Sequence, residues 1–249
     1  MKDLKLKEAQ KKEIEFWKNS DLEKSGVKHL PIILEKMSMG KTLLKCLELS
    51  KTDLNKNAKI LELGAGQGWA SCIIKNLFPY TEITTTDISI HALESLKEWE
   101  DRMEVKIDKY YECESYKTNE EKESIDFIFT FASAHHFIKH DETIHEISRI
   151  LKPKGHAAYF FEPVSPKFWY PLAFWRVNRK RPEVREDLLI PNELKKISKK
   201  YNLTCKIIET PIFSNREGLI ETIYYIFLNI FPFLQKFLPR TAIILFSKS

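Results

Sequence analysis

The stretch of residues 59–71 constrains the fold more than any other part of the chain. A short apolar run leads into three glycines at alternate positions, Gly64, Gly66 and Gly68, and residues that can start a helix follow from Trp69. Glycine suits a turn that needs positive φ angles or a backbone that approaches a ligand closely. A strand, a glycine turn and a helix start in this order predict a nucleotide-type pocket, since the free N–H groups at the helix start can bind an anionic group.

The spacing of the glycines distinguishes between two classes of cofactor. The pattern Gly-x-Gly-x-x-Gly is typical of a dinucleotide site. Here the third glycine, Gly68, comes one residue early, and Trp69 stands at the position where that pattern has its third glycine. Glu62, two residues before Gly64, is unusual beside a pyrophosphate because a carboxylate attracts a cationic group. A cofactor with an amino-acid tail therefore fits this stretch better than a cofactor with two phosphates.

Residues 60–68, Ile-Leu-Glu-Leu-Gly-Ala-Gly-Gln-Gly, resemble the first motif of the class I S-adenosylmethionine-dependent methyltransferases. The resemblance covers residues 58–163 and implies an α/β fold with a Rossmann-like, seven-stranded, mostly parallel sheet whose last strand is antiparallel. It also implies S-adenosyl-L-methionine as the cofactor. The residues expected to hold the methionine part of the cofactor are Glu62, Gly64, Ala65, Gly66 and Gly68.

The same resemblance predicts three parts of the chain. Residues 1–57 form an N-terminal helical cap, residues 58–163 the cofactor-binding core, and residues 164–249 a substrate-side lid or helical insert with the final strands. Within the cap, Phe16 and Trp17 are expected either to line the substrate opening or to pack against the core. Further patterns predict helices over 143–151 and 188–200, a turn over 151–155, and strands over 156–162, 203–209 and 241–246.

A second strand is predicted over residues 82–86, and it ends at Asp87, 21 residues after Gly66. A carboxylate at this strand end can accept hydrogen bonds from both ribose hydroxyls, which supports a nucleoside site in either class of cofactor. Ile88 is expected to pack on the base. Asp87 could also cap a helix over residues 89–99, and one side chain can serve both purposes.

Residues 103–108 predict a third strand. The resemblance implies that Asp108 accepts a hydrogen bond from the amino group of adenine, and Tyr110 or Tyr111 is expected to lie against the ring. The alternative role for Asp108 is that of a turn residue.

A nearly continuous apolar run over residues 124–130 predicts a fourth strand that is buried on both faces. The residues that follow, Phe131–Phe137, resemble the segment that lines the methyl-transfer site of ubiquinone-biosynthesis-type and related small-molecule methyltransferases, and Phe131 is expected beside the cofactor. The sequence lacks the Asn/Asp-Pro-Pro-Tyr/Phe segment of enzymes that methylate the amino groups of nucleobases. This difference disfavours nucleic acid as a partner.

His135 and His136 are the candidate catalytic residues, because a neutral imidazole can take a proton from a substrate hydroxyl during methyl transfer. The alternative is that one of them braces the next helix. No metal site is predicted, because no carboxylate cluster accompanies the histidines and the cysteines form no Cys-x-x-Cys pair.

The C-terminal part combines aromatic and basic residues. Trp169, Trp175 and Arg176 are expected to contact the acceptor, or else to belong to a lid packed on the core, and a basic run follows over 179–185. Residues 161–249 contain 15 Lys and Arg against eight Asp and Glu, whereas residues 1–160 contain 25 against 27. This imbalance favours an anionic substrate or surface, with a solvated lysine-rich face as the alternative.

Residues 219–238 are strongly apolar but are interrupted by polar and charged residues, so they do not predict a membrane-spanning helix. The favoured interpretation is an insert packed between the last two strands. The alternative is an amphipathic helix that contacts a membrane peripherally or covers an apolar, lipid-like acceptor.

The sequence as a whole predicts methyl transfer to a small or lipid-like acceptor, with the oligomeric state open. Four widely spaced cysteines and a highly charged N-terminus lead us to expect a cytoplasmic protein, with membrane association as an alternative. Three rival functions remain: an RNA methyltransferase that uses the basic C-terminal part, a nicotinamide oxidoreductase, and a non-catalytic S-adenosylmethionine-binding protein.

Overall fold

The structure is a computed structural model, and it describes residues 2–20, 28–52, 54–179, 186–209 and 218–249. Within these residues the strands are β1 (Lys59–Leu63), β2 (Glu82–Asp87), β3 (Lys109–Glu112), β4 (Ile125–Phe131), β5 (Leu151–Val164), β6 (Leu203–Glu209) and β7 (Arg240–Lys248). The helices are α1 (Lys2–Asn19), α2 (Leu30–Ser50), α3 (Trp69–Leu77), α4 (Ile90–Leu93), α5 (Leu96–Met103), α6 (His140–Ile150), α7 (Tyr170–Asn178), α8 (Pro191–Lys200) and α9 (Leu219–Ile230). Short 3₁₀ helices occupy Ala134–His136 and Pro232–Lys236.

The described strands form a seven-stranded sheet in the order β3-β2-β1-β4-β5-β7-β6. The strands from β3 to β5 pair in parallel, and β7 is antiparallel to both of its neighbours, β5 and β6. The predicted Rossmann-like fold with an antiparallel last strand is confirmed. Because β1 lies between β2 and β4, the glycine turn that follows it sits at the centre of the carboxyl edge of the sheet.

Both faces of the sheet are covered, which explains why its central strands are apolar at consecutive positions. Ile60 contributes to a core cluster that includes residues of α2, α3 and α5. Leu61 and Leu63 contribute to the cluster on the other face, where α6 and α8 pack. The alternation follows from the two-residue period of a strand.

The prediction of a third strand over residues 103–108 is wrong. Met103 ends α5, and the strand begins at Lys109, directly after Asp108. Strand β3 is at the edge of the sheet, where it pairs with β2, and three of its four residues are exposed. An edge strand of this composition carries no apolar pattern, so the sequence did not mark its position.

The turn predicted over residues 151–155 lies inside β5 as an irregularity. Ile125 pairs with Leu151, but the next pair joins Phe127 to His156, so β5 bulges over the residues between. Gly155 is required at this point, because a Cβ atom there would lie 2.9 Å from the carbonyl oxygen of Lys152.

The C-terminal insert falls between β6 and β7 in the chain, as predicted, but it is not packed as the favoured interpretation expected. Leu228 of α9 is buried, whereas Ile220, Ile223 and Ile230 are exposed. Among the described residues, no helix combines the length and apolarity that crossing a bilayer requires.

We predict that Gly68→Ala destabilises the protein by about 1–3 kcal/mol, because the φ angle of +78° is strained for any residue with a Cβ atom. In addition, that Cβ would lie 2.5 Å from Leu96 Cδ1. Gly218→Ala is the matched control, since its φ is −116° and, among the described residues other than its chain neighbours, no atom lies within 4 Å of the added Cβ. Chemical denaturation should show a loss below about 1 kcal/mol for the control. Equal losses in the two variants would show that the positive φ angle of Gly68 does not limit the stability of the protein.

Candidate functional site

A cleft of about 370 Å³ lies at the carboxyl ends of β1, β2 and β4, with α1 across it. Its lining includes Gly64 from the glycine turn and Asp87 and Ile88 from the end of β2. The 133–138 segment contributes His136, and α1 contributes Glu13. The cleft is large enough for a small organic ligand, and it opens where the fold is expected to bind one.

Asp87 and the glycine turn are in direct contact, as the sequence predicted. The Gly66 N–H donates to Asp87 Oδ2 at 2.8 Å, and the Ser89 N–H donates to Oδ1 at 3.0 Å. Burial raises the pKa of Asp87 to about 6, although the backbone hydrogen bonds act in the opposite direction. Because each oxygen keeps lone pairs, the carboxylate can still accept hydrogen bonds from a ligand. The hydrogen bond from Ser89, the residue before α4, shows that Asp87 also supports the helix start.

Glu62 does not line the cleft, contrary to expectation. Its carboxylate is fully buried and accepts hydrogen bonds from the N–H of Ser71, at 3.1 Å, and from the Ser71 hydroxyl. Burial raises the pKa of Glu62 to about 8, which the bonds from Ser71 oppose. Glu62 therefore connects β1 to the first turn of α3, and its effect on a ligand is indirect.

Three other predicted cofactor residues lie away from the cleft. Asp108 is at the amino edge of the sheet, where it accepts hydrogen bonds from Lys75 Nζ and Ile83 N–H, both at 2.8 Å. Tyr110 is exposed on the edge strand β3. Phe131 is buried in the core, where it packs edge-on against Trp69 with ring centroids 5.3 Å apart.

The correct positions follow from the true end of β3, which comes four residues later than predicted. The Cys113 N–H donates to the Asp87 carbonyl at 2.8 Å, and this contact places the next residues at the cleft. Cys113, Ser115 and Tyr116 all line it. Counting from a correctly placed strand end would have identified them.

Helix α1 lies over the glycine turn. The Trp17 ring is so close to Gly66 that a Cβ atom there would lie 3.3 Å from it. Gln10 Nε2 donates to the Tyr116 hydroxyl at 3.2 Å, which connects the helix to the segment after β3. Phe16 packs on Trp17 rather than on the cleft, with ring centroids 5.7 Å apart.

Glu13 is a cleft residue that the sequence did not reveal, because α1 is rich in lysine and glutamate throughout. Burial raises the pKa of Glu13 to about 7, and the nearby charge of Asp87 acts in the same direction, while a hydrogen bond from Trp17 opposes them. Two carboxylates thus share a poorly solvated space. A cation placed between them would favour their ionised forms.

The two histidines have different roles. His135 is buried, and its Nδ1 lies 2.9 Å from Glu162 Oε2. Glu162 also accepts hydrogen bonds from the N–H groups of Ser133, Ala134 and His135 at 2.9, 2.8 and 3.1 Å. Burial lowers the pKa of His135, but the bond to Glu162 and its charge outweigh this, so the pKa is raised overall. His135 therefore braces the turn and does not line the cleft.

His136 is the histidine that reaches the cleft. Its Nδ1 lies 3.8 Å from Glu13 Oε2, which is too long for a hydrogen bond. Burial, with the charge of His135, lowers the pKa of His136 to about 3. His136 is therefore neutral at physiological pH and can accept a hydrogen bond, although so low a pKa makes it a weak base.

A second cavity, of about 670 Å³, lies between α7, α9 and the carboxyl end of β5. Trp169 and Arg176, two of the residues predicted to contact the acceptor, line this cavity. Trp175, the third, is exposed instead, and the guanidinium of Arg179 lies 5.4 Å from the centroid of its ring. Glu186 also lines this cavity, and the N–H of the next residue, Asp187, donates to the His135 carbonyl at 3.2 Å, beside His136 of the first cleft, so the linings of the two cavities are connected. Residues 180–185 of the predicted basic run lie outside the described residues.

The residues present fit a nucleoside cofactor with a positive charge. The backbone of the turn is bare at Gly64, and Asp87 offers a carboxylate at the strand end. The carboxylates of Glu8 and Glu13 add negative charge to the same cleft, alongside Lys12. Such a lining stabilises a cation better than a pyrophosphate.

Residues 61–159 match the model of a family described as a methyltransferase domain. A search of curated proteins found no match to the chain.

Among solved structures, the chain is similar to geranyl diphosphate C-methyltransferase from Streptomyces coelicolor, with a TM-score of 0.69 and 11% identity over 97% of this chain and 98% of that one. It is also similar to a putative sarcosine dimethylglycine methyltransferase from Galdieria sulphuraria, with a TM-score of 0.65 and 17% identity over 97% and 98%. A third similar structure is phosphoethanolamine N-methyltransferase 2 from Haemonchus contortus, with a TM-score of 0.65 and 18% identity over 84% of this chain and 53% of that one.

These likenesses establish the fold, and the family match establishes the type of domain. Because the matched residues include the glycine turn and the strands β2, β3 and β4, residues 61–159 are a methyltransferase domain with the fold of the class I S-adenosylmethionine-dependent methyltransferases.

Proposed function

We propose that this methyltransferase acts on a small or lipid-like acceptor that carries an anionic group. The observation that carries the proposal is the pair of adjoining cavities, a carboxylate-lined cleft beside the glycine turn and a larger cavity lined by aromatic side chains and arginine. A cationic cofactor fits the first cavity, and an anionic amphiphile fits the second.

In this proposal the chain holds the cofactor through the turn and the two strand ends that follow it. The backbone at Gly64–Gly68 contacts the methionine part, Asp87 accepts from the ribose, and Ile88 packs on the base. The segment containing Cys113 and Ser115 lies at the adenine. When bound, S-adenosylmethionine supplies an electrophilic methyl group on a sulfonium.

The protein contributes mainly alignment and exclusion of water. Helix α1 covers the cleft, and the 133–136 turn is held rigidly by Glu162, so groups at the junction of the two cavities are fixed in place. His136 is neutral and lies in the cleft, where it can accept a hydrogen bond from the hydroxyl or amine of an acceptor and so orient it for attack on the methyl group. His135 positions it through the shared turn.

The second cavity supports an acceptor with a negative group. Arg176 and Arg240 line it together with Glu186 and Glu221, so an anionic group would compete with Glu221 for Arg176, and Trp169, Tyr224 and Tyr225 offer aromatic surface for the rest of the molecule. Two of the similar structures contain acceptors with phosphate groups, geranyl diphosphate in one and phosphomonomethylethanolamine in the other. The fold therefore accommodates phosphorylated acceptors in those proteins.

The direct test measures formation of S-adenosylhomocysteine with three sets of acceptors: amphiphilic phosphates and carboxylates, uncharged polar metabolites, and RNA. We expect turnover with the anionic amphiphiles. Turnover with RNA alone, and with a steep dependence on salt, would establish the RNA methyltransferase instead. Binding of the cofactor without turnover on any set would point to a non-catalytic protein.

We predict that Asp87→Ala weakens binding of S-adenosylhomocysteine by about 100-fold or more, because two hydrogen bonds to a charged group are lost. Isothermal titration calorimetry measures this affinity. Asp108→Asn is the informative control, since the structure places Asp108 at the opposite edge of the sheet and so predicts unchanged affinity. A loss of affinity in Asp108→Asn would restore the adenine-binding role that the sequence suggested.

We predict that the preference for S-adenosylmethionine over S-adenosylhomocysteine increases about three- to tenfold between pH 6 and pH 8. Glu13, whose pKa is raised to about 7, ionises in this range and then attracts the sulfonium. Calorimetry at several pH values should show that Glu13→Gln abolishes the increase. Glu15→Gln is the control, because Glu15 is exposed on the same helix beside Lys11, and it should keep the increase.

The raised pKa of Glu13 also determines whether this residue stabilises or destabilises the folded protein as the pH rises. Since the folded value of Glu13 is raised above its ordinary value, its contribution to stability is full at low pH and is lost as the pH rises through about 7. Glu13→Gln should therefore raise the melting temperature of the ligand-free protein at pH 8 and have less effect at pH 5. A lower melting temperature at pH 8 would show that ionised Glu13 stabilises the closed helix.

We predict that His136→Ala lowers kcat by about 10- to 100-fold with an acceptor that donates a hydrogen bond, because the imidazole that orients the acceptor is removed. The affinity for S-adenosylhomocysteine should stay within about threefold of the wild type. Steady-state kinetics and calorimetry measure the two quantities. An unchanged kcat would exclude this orienting role for His136.

A further inference from the structure

Helix α9 and the 3₁₀ helix after it expose an unusual amount of apolar surface. Ile220 is 79% exposed and Phe233 is 62% exposed. Leu219, Ile223, Ile226, Ile230 and Phe237 are exposed as well. A surface helix normally turns its apolar side toward the core, so this arrangement marks an interaction surface.

The helix is nevertheless held firmly by its other side. The Tyr224 hydroxyl donates to the Pro239 carbonyl at 2.6 Å, and Gln235 Nε2 donates to the Leu228 carbonyl at 3.0 Å. Leu228 and Gln235 are both buried. The protein thus uses polar contacts and a single buried leucine to fix the helix, and it leaves the larger apolar side chains outside.

We propose that the segment 219–237 docks on the surface of an anionic phospholipid bilayer, with its apolar side chains inserted among the lipids. An interfacial helix of this kind binds through buried apolar area together with attraction to anionic headgroups. The insertion is peripheral and requires no spanning helix.

Helix α7, beside this segment, exposes apolar and aromatic side chains next to basic ones. It faces α9 across the second cavity, and Arg176 forms an ion pair with Glu221 at 3.6 Å. Leu172 and Trp175 are exposed, and the guanidinium of Arg179 lies over the Trp175 ring. Aromatic rings and long basic side chains are typical of the boundary between lipid and water.

Charge selects the bilayer among the occupants that an apolar surface can have. Arg176 and Arg179 lie in and beside α7, Lys236 lies in the 3₁₀ helix after α9, and the acidic residue of α9, Glu221, is paired with Arg176. Anionic lipids attract such a surface. A second copy of the chain would instead bring two basic surfaces together.

The location of the surface gives it a role, in an argument that rests on the proposed function. The second cavity lies between α7 and α9, the two helices whose outer sides form the docking surface. A lipid-like acceptor could therefore pass from the bilayer into the cavity without crossing water. The acceptor class would then be an anionic amphiphile that resides in the membrane.

The test is co-sedimentation of the full chain with vesicles of phosphatidylcholine, or of phosphatidylcholine with one quarter phosphatidylglycerol. We expect binding to the anionic vesicles, weaker binding to the neutral ones, and a loss on adding salt. The double variant Ile220→Gln/Phe233→Gln should lower the partition coefficient by about tenfold or more. The control Leu77→Gln/Tyr80→Gln removes two exposed apolar side chains from the opposite edge of the sheet and should bind like the wild type.

Equal binding of the two double variants would overturn the assignment of the surface. Absence of vesicle binding, with a dimer in light scattering that Ile220→Gln/Phe233→Gln dissociates, would assign the surface to a second copy of the chain. Affinity for S-adenosylhomocysteine serves as the check on folding. Loss of vesicle binding with intact turnover on a soluble acceptor contradicts only the docking surface, whereas vesicle binding without any turnover contradicts only the proposed function.

Discussion

The contact between Asp87 and the backbone of the glycine turn is the interaction on which the rest of the site depends. A buried carboxylate is costly unless donors surround it, and here the N–H groups of Gly66 and Ser89 supply them. The donors can converge because the turn adopts positive φ angles at Gly64, Gly66 and Gly68. The ends of β1 and β2 are thereby connected, and the position of the cleft is fixed before any ligand binds.

Concentrated negative charge is the second property of the site. Asp87, Glu13 and Glu62 all have raised pKa values, because each is buried with limited compensation. Their burial disfavours the ionised forms in the ligand-free protein, and a cationic ligand reverses that effect. Under the proposed function, part of the selectivity for a sulfonium would come from Asp87 and Glu13, which line the cleft and whose ionised forms are unfavourable without a cation. Helix α1 contributes to this charge, so closing the cleft and selecting the cofactor are coupled.

The sequence predicted the parts of the site that have short-range signals. The glycine turn and Asp87 follow strands with clear apolar or β-branched patterns, and both were placed correctly. Asp108 and Tyr110 were misplaced because the edge strand β3 consists of two tyrosines between two charged residues and has no buried face to mark it. Glu13 and Glu162 were missed for another reason: their importance arises from neighbours more than 20 residues away in the chain, which a local pattern does not contain.

The C-terminal segment shows where composition stops being informative. An apolar stretch of this length can form a core helix or an interfacial helix, and the two have the same residue content. A core helix and an interfacial helix differ in which of their side chains contact the rest of the protein. Here Tyr224, Leu228 and Gln235 anchor the helix while the isoleucines and phenylalanines face outward. The cavity lined by α7 and α9 lies directly behind that surface, so the same two helices that would meet a bilayer also enclose the space for an acceptor.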